Sequence, residues 1–104
     1  MSEQWHDVCG VDEVDEEDLI GVRVDGVCIA VYNINGEFFA TSNVCTHEHA
    51  LLSEGFVIDN VIECPLHQGR FHIQTGKPVG APVSTALKTF PVKREGGRLL
   101  VCLG

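Results

Sequence analysis

Two turn-forming dipeptides, Asp25-Gly26 and Asn35-Gly36, most strongly limit how this chain can fold. Asp-Gly and Asn-Gly favour the two-residue turns of antiparallel hairpins, because both central residues can adopt positive φ. Apolar residues alternate with other residues before and after the first turn, as they do along half-buried strands. These signals predict a hairpin around Asp25-Gly26 and a second turn at Asn35-Gly36.

The remainder of the chain continues as short apolar segments separated by turns. Predicted strands cover residues 37–41, 56–58, 61–63, 71–73, 87–92 and 99–103. No segment has sustained helical periodicity, although residues 11–19 are compatible with a single helical turn. Many short strands at regular spacing predict an all-β, antiparallel sandwich or small barrel, formed by residues 1–104 as one domain.

Composition excludes several classes of protein. The 104 residues contain no apolar run of membrane-spanning length, and the N-terminus lacks the pattern of a signal peptide. The net charge of −8 disfavours nucleic acid and anionic membranes as partners. Eight carboxylates lie in the first 22 residues, where they form either a solvated loop or a docking face. Five cysteines, an odd number, fit a reducing cytoplasm better than a disulfide framework.

Two cysteine–histidine pairs interrupt the strand pattern. Cys45-x-His47 follows one predicted strand, and Cys64-x-x-His67 follows the predicted hairpin, with sixteen residues between the pairs. Each pair therefore falls in a loop at a strand end, and two neighbouring loops could present four ligands to one site. Thiolate together with imidazole suits zinc or iron, but the C-x(2–4)-C spacing of common zinc sites is absent.

The spacing C-x-H, sixteen residues, C-x-x-H resembles the Rieske [2Fe–2S] motif. In that family two thiolates hold one iron and two imidazoles hold the other. Further residues resemble the small Rieske ferredoxins of bacterial aromatic-ring-hydroxylating dioxygenases, especially the naphthalene-type systems. The supporting segments are residues 40–41, 52–55, 63–71, 75–77, 81–83 and 90–92, with Trp5 and the strand 27–32.

The resemblance implies the Rieske fold, with a small cluster-binding part formed by two loops at about residues 43–83. It implies one [2Fe–2S] cluster with Cys45, His47, Cys64 and His67 as ligands. The implied function is one-electron transfer from an NAD(P)H-dependent flavin reductase to a terminal oxygenase. The chain is then a monomeric, non-catalytic carrier that docks transiently near His47 and His67.

Alternatives remain open at this point. The chain could instead serve a diiron monooxygenase, or form the small subunit of a nitrite reductase. A structural zinc module is the most different alternative. A Gly-rich dinucleotide-binding fingerprint is absent from the sequence, which disfavours the reductase itself.

The resemblance also predicts a low reduction potential. High-potential Rieske proteins carry a disulfide between the two loops, whereas Ala50 and Leu66 occupy those positions here. They also carry a Ser and a Tyr that donate hydrogen bonds to the cluster, where this chain has Gly69 and Phe71. Fewer donors stabilise the reduced cluster less, so we expect a potential near the low end of the Rieske range, about −150 mV.

Other histidines and cysteines have simpler interpretations. His49 could compete with His47 as a ligand, but the motif favours His47. His67 and His72 have the H-x4-H spacing of some mononuclear iron sites, yet His72 is interpreted as a strand residue. We expect buried thiols at the remaining cysteines, Cys9, Cys28 and Cys102.

Four residues near the second pair keep two interpretations each. Pro82 is either part of a loop that covers the cluster or an ordinary turn residue. Gly69 either lets backbone N–H groups approach the sulfides or supplies a positive φ. Gln68 and Arg70 either contact a partner or are ordinary surface residues.

Overall fold

Short strands joined by tight turns form three antiparallel sheets in a computed structural model, which describes residues 4–46, 50–66, 68–80 and 83–103. The strands are β1 (Trp5–Gly10), β2 (Asp18–Val24), β3 (Val27–Ile34), β4 (Glu37–Ser42), β5 (Phe56–Ile58), β6 (Val61–Glu63), β7 (Arg70–His72), β8 (Thr89–Phe90), β9 (Val92–Glu95) and β10 (Arg98–Cys102). The sheet orders are β1-β10-β9, β2-β3-β4-β8 and β5-β6-β7. The all-β prediction is therefore confirmed.

The predicted hairpins form where the turn dipeptides lie. Asp25 and Gly26 have φ of 52° and 81°, and Asn35 and Gly36 have φ of 54° and 84°. Both residues of each turn therefore occupy the left-handed region that Asp-Gly and Asn-Gly tolerate. β3 lies between these turns and pairs with β2 on one side and β4 on the other.

β3 separates two hydrophobic cores, because its side chains alternate between the two faces of the central sheet. Ile29 and Val31 pack into the core shared with the β1-β10-β9 sheet. Ala30, Tyr32 and Ile34 pack into a second core on the opposite face. The β5-β6-β7 sheet lies over that second core, with Ile62 and Phe71 among its members.

The predicted strand at residues 87–92 is wrong in one respect, because it is two strands in two different sheets. β8 pairs with β4, whereas β9 pairs with β10. Pro91 lies between them, lacks an N–H donor and cannot continue a ladder. Its carbonyl still accepts the N–H of Cys102 at 3.0 Å. Proline therefore marks the crossing of the chain from one sheet to the next.

Two short 3₁₀ turns complete the described elements. The first, Val11–Glu13, falls within the region where a single helical turn was predicted. The second, Leu52–Glu54, connects the first cysteine loop to β5. Among the described residues no helix is long and apolar enough to cross a membrane.

Candidate metal centre

The first cysteine loop starts where β4 ends. The N–H of Cys45 donates to the carbonyl of Ala50 at 2.9 Å, and Val44 forms an isolated antiparallel bridge with Leu51. These bonds bring the two ends of the loop together. The loop lies between β4 and the 3₁₀ turn Leu52–Glu54, so only one of its arms is a strand.

The second cysteine loop connects β6 to β7. The N–H of Cys64 donates to the carbonyl of Gly69 at 2.6 Å. Glu63 and Arg70 pair directly below this bond, and their side chains form an ion pair at 2.8 Å. Both loops therefore use the same closure, in which a cysteine N–H bonds the carbonyl five residues later.

The two cysteines belong to one buried cluster of side chains. Cys45 is 4% exposed and Cys64 is 1% exposed, and both pack in the core beneath the β5-β6-β7 sheet. Cysteine binds a metal ion as the thiolate, and the charge of the ion keeps a coordinating thiol deprotonated. The buried pair of sulfurs therefore fits an iron–sulfur group.

The imidazoles of the predicted ligand set, those of His47 and His67, lie outside the described residues, as do His49 and Pro82. Within the ranges that the structure describes, no three His, Cys, Asp or Glu side chains are grouped closely enough to hold a metal ion. The structure therefore brings Cys45 and Cys64 into one core cluster, and the histidine ligands stay predictions.

Gly69 packs closely against Val83, beside Cys64. A Cβ at Gly69 would lie 2.7 Å from Cγ1 of Val83 and 3.7 Å from Cβ of Cys64. Of the two interpretations of Gly69, a positive φ is wrong, because Gly69 is not among the residues with positive φ. The residue before it, Gln68, has φ of 57°. Close packing of the second loop against Val83 explains the glycine.

The segment that follows Pro82 contacts both loops. Val83 packs against Gly69 in the second loop, and the carbonyl of Thr85 accepts a hydrogen bond from Oγ1 of Thr46 at 2.8 Å. Sequence patterns did not single out this bridge. The two residues of this hydrogen bond are 39 positions apart in the sequence, so no local sequence pattern predicts it.

Gly69→Ala is expected to lower the free energy of unfolding by about 1–3 kcal/mol, because the new methyl overlaps Val83. Adding Val83→Ala to the Gly69→Ala protein should recover at least ~1 kcal/mol of that loss, because the smaller side chain leaves space for the new methyl group. A double-mutant cycle from urea unfolding measures this coupling. Additive effects within about 0.5 kcal/mol would show that Val83 does not impose the glycine.

The remaining cysteines and His72 lie on strands outside the two loops. Cys9 is buried in β1, in the core on the other face of the central sheet, and burial raises the pKa of its thiol. Cys102 is buried in β10, and Cys28 is partly buried in β3. The expectation of buried thiols is confirmed for Cys9 and Cys102. His72 is an exposed residue of β7, as predicted.

Tyr32 is the largest buried side chain in the core beneath the loops. Its hydroxyl shares a 2.8 Å hydrogen bond with Oγ1 of Thr41. Burial raises the pKa of Tyr32 far above its ordinary value, and the Thr41 bond opposes this only in part. Tyr32 therefore stays a neutral structural residue.

The chain matches a family model over most of its length and is similar to known proteins. The family model described as "Rieske [2Fe-2S] domain" matches residues 4–91. The ferredoxin component of the naphthalene 1,2-dioxygenase system of Pseudomonas aeruginosa is 48% identical and covers 99% of both chains. The solved Sphingomonas yanoikuyae B1 ferredoxin is 35% identical, with a TM-score of 0.92 over 97% of this chain and 100% of that one.

A third similar structure contains a complex. It holds reduced oxygenase and oxidized ferredoxin of carbazole 1,9a-dioxygenase. The matched chain is 37% identical, with a TM-score of 0.88 over 94% of this chain and 92% of that one.

Proposed function

This chain belongs to the Rieske [2Fe–2S] domain family, and we propose that Cys45, His47, Cys64 and His67 hold its single cluster. The observation that carries the proposal is the burial of Cys45 and Cys64 in one core, each at the start of a loop with the same closure. In this arrangement two thiolates bind one iron and two imidazoles bind the other. The cluster-binding part is residues 43–83 of one domain, 1–104.

The chain is an electron carrier of an aromatic-ring dioxygenase system. The resemblance found in the sequence is confirmed, because full-length relatives are ferredoxin components of such systems and are not oxygenases themselves. When bound, the cluster takes up and releases one electron at a time. The two cysteine loops would hold the cluster, and the burial of Cys45 and Cys64 would keep water from their sulfur atoms.

We propose that the terminal oxygenase and an NAD(P)H-dependent reductase dock in turn near His47 and His67. Three large apolar side chains on these loops are partly exposed: Val44 at 38%, Leu51 at 39% and Leu66 at 45%. Apolar side chains at the rim of a redox site suit small, short-lived encounters. A similar ferredoxin has been solved with its oxygenase, which supports that half of the cycle.

We place the protein as a monomer in the cytoplasm. Five cysteines, an odd number, support a reducing compartment over a disulfide framework.

The side chains at positions 69 and 71 support a low reduction potential, because neither of them can donate a hydrogen bond. Phe71 is fully buried in β7 and its side chain has no hydroxyl group, and Gly69 has no side chain. Neither side chain can stabilise added negative charge.

EPR spectroscopy of the dithionite-reduced protein tests the cluster, with iron and sulfide counted on the same sample. We expect about two irons and two sulfides per chain and a rhombic signal whose average g lies below that of an all-cysteine cluster. Stoichiometric zinc with no EPR signal would instead make this a structural metal module.

His67→Cys is expected to lower the reduction potential by on the order of 100 mV, because a thiolate replaces a neutral imidazole and adds one negative charge. Potentiometric titration followed by EPR measures the shift. His72→Gln is the matched control, since His72 is exposed on β7 and should leave the potential unchanged. An assembled His67→Cys protein with the wild-type potential would remove His67 from the ligand set.

A further inference from the structure

The two cysteine loops differ in how their bases are held. Below Cys64 the second loop continues directly into the β6–β7 ladder, with Glu63 opposite Arg70 and Ile62 opposite Phe71. Below Cys45 the first loop has the isolated bridge Val44–Leu51 and, among the described residues, no continuous pair of strands. The first loop therefore lacks the strand ladder that fixes the second.

The side chain of Asn43 takes the place of the missing ladder. Its Oδ1 accepts the N–H of Ser53 at 2.8 Å, and its Nδ2 donates to Oγ of Ser53 at 3.0 Å. Its carbonyl accepts the N–H of Leu52 at 2.8 Å, and its own N–H donates to the carbonyl of Cys28 at 3.0 Å. Asn43 thus connects β3, the end of β4 and the 3₁₀ turn beyond the loop.

The surroundings of Asn43 strengthen these bonds. The residue is only 4% exposed, so water does not compete well for its amide, and a lost partner would leave a buried polar group unsatisfied. Gly21 on β2 leaves the space for this pair. A Cβ there would lie 2.8 Å from Nδ2 of Asn43 and 2.9 Å from Oγ of Ser53.

We propose that Asn43 is the positioning residue of the first cysteine loop. Its two side-chain hydrogen bonds to Ser53, called the clamp below, hold Cys45 in place for the cluster. This inference rests on the proposed function for its consequence, which is slow loss of iron. The clamp itself consists of hydrogen bonds at the base of the first cysteine loop. Asn43 acts through the backbone that carries Cys45.

The test compares variants that separate hydrogen bonding from packing. Asn43→Leu keeps a side chain of similar size and removes both amide bonds. Asn43→Asp keeps acceptors for the Ser53 N–H and for its hydroxyl, which can donate instead. Asn33→Leu is the matched control. Asn33 is also buried and makes two side-chain bonds, to Val14 and Gly36, at the opposite end of the β3–β4 hairpin.

Two quantities are measured on the purified, cluster-loaded proteins: hydrogen–deuterium exchange of the peptide covering residues 43–54, and the rate of iron loss to a chelator. Removing a buried bond partner should speed both by about tenfold in Asn43→Leu. Asn43→Asp should restore slow exchange. Asn33→Leu should lower the unfolding midpoint and leave exchange at 43–54 and iron loss near the wild-type values.

Equal acceleration in Asn43→Leu and Asn33→Leu would overturn the proposal, because loss of overall stability would then explain both. If the wild-type protein holds no iron, the proposed function fails, and exchange alone decides the clamp. Faster exchange at 43–54 in Asn43→Leu than in Asn33→Leu would then sustain it, and equal exchange would reject it.

Discussion

Cys64→Ala is expected to yield a folded chain that retains less than about a tenth of the wild-type cluster, since even residues outside the ligand set change metal affinity 10–100-fold. Cys45→Ala should behave alike. Each change removes one of the two proposed cysteine ligands while deleting little volume from the core. Iron and sulfide analysis gives the occupancy, and circular dichroism checks that the sheets remain.

Cys9→Ala is the matched control for both changes. Cys9 is as buried as the two proposed ligands, at 2% exposure, but it packs in the core on the other face of the central sheet. Cys9 lies in β1 and not in either cysteine loop, so we do not expect it to bind the cluster. Loss of the cluster from folded Cys9→Ala, or its retention in Cys64→Ala, would contradict the assignment.

The sequence predicts this fold well where conformation depends on neighbouring residues. Asp25-Gly26 and Asn35-Gly36 set their hairpins because only a few residue types tolerate two successive positive φ values. The two cysteine loops were also predicted at strand ends, since each pair follows a predicted strand. Local steric rules act within a few residues and are readable from one chain.

Features that depend on distant contacts were not predictable in this way. Pro91 was placed inside one strand because nothing nearby in the sequence reveals that β8 and β9 pair with different partners. The need for glycine at position 69 comes from Val83, fourteen positions away. Asn43 had no predicted role, because its partner Ser53 lies across a loop whose geometry the sequence does not define.

The same dependence on distant contacts gives Gly55→Ala the largest expected effect on stability. Gly55 lies between the 3₁₀ turn Leu52–Glu54 and β5, and a Cβ there would overlap the backbone carbonyl oxygen of Glu63. That oxygen belongs to β6, next to Cys64, so it cannot move without disturbing the β5–β6 ladder and the base of the second loop. A flexible side chain could give way, but a backbone carbonyl in a sheet cannot.

We therefore expect Gly55→Ala to lower the free energy of unfolding by about 3 kcal/mol, the upper part of the range for overpacking. Urea titration followed by the fluorescence of Trp5 measures the change. Gly97→Ala is the control, because its Cβ would meet open space at the β9–β10 turn. If the free energy of unfolding of Gly55→Ala lies within about 0.5 kcal/mol of that of the control, β5 and β6 can separate freely. The second loop would then lack a rigid base.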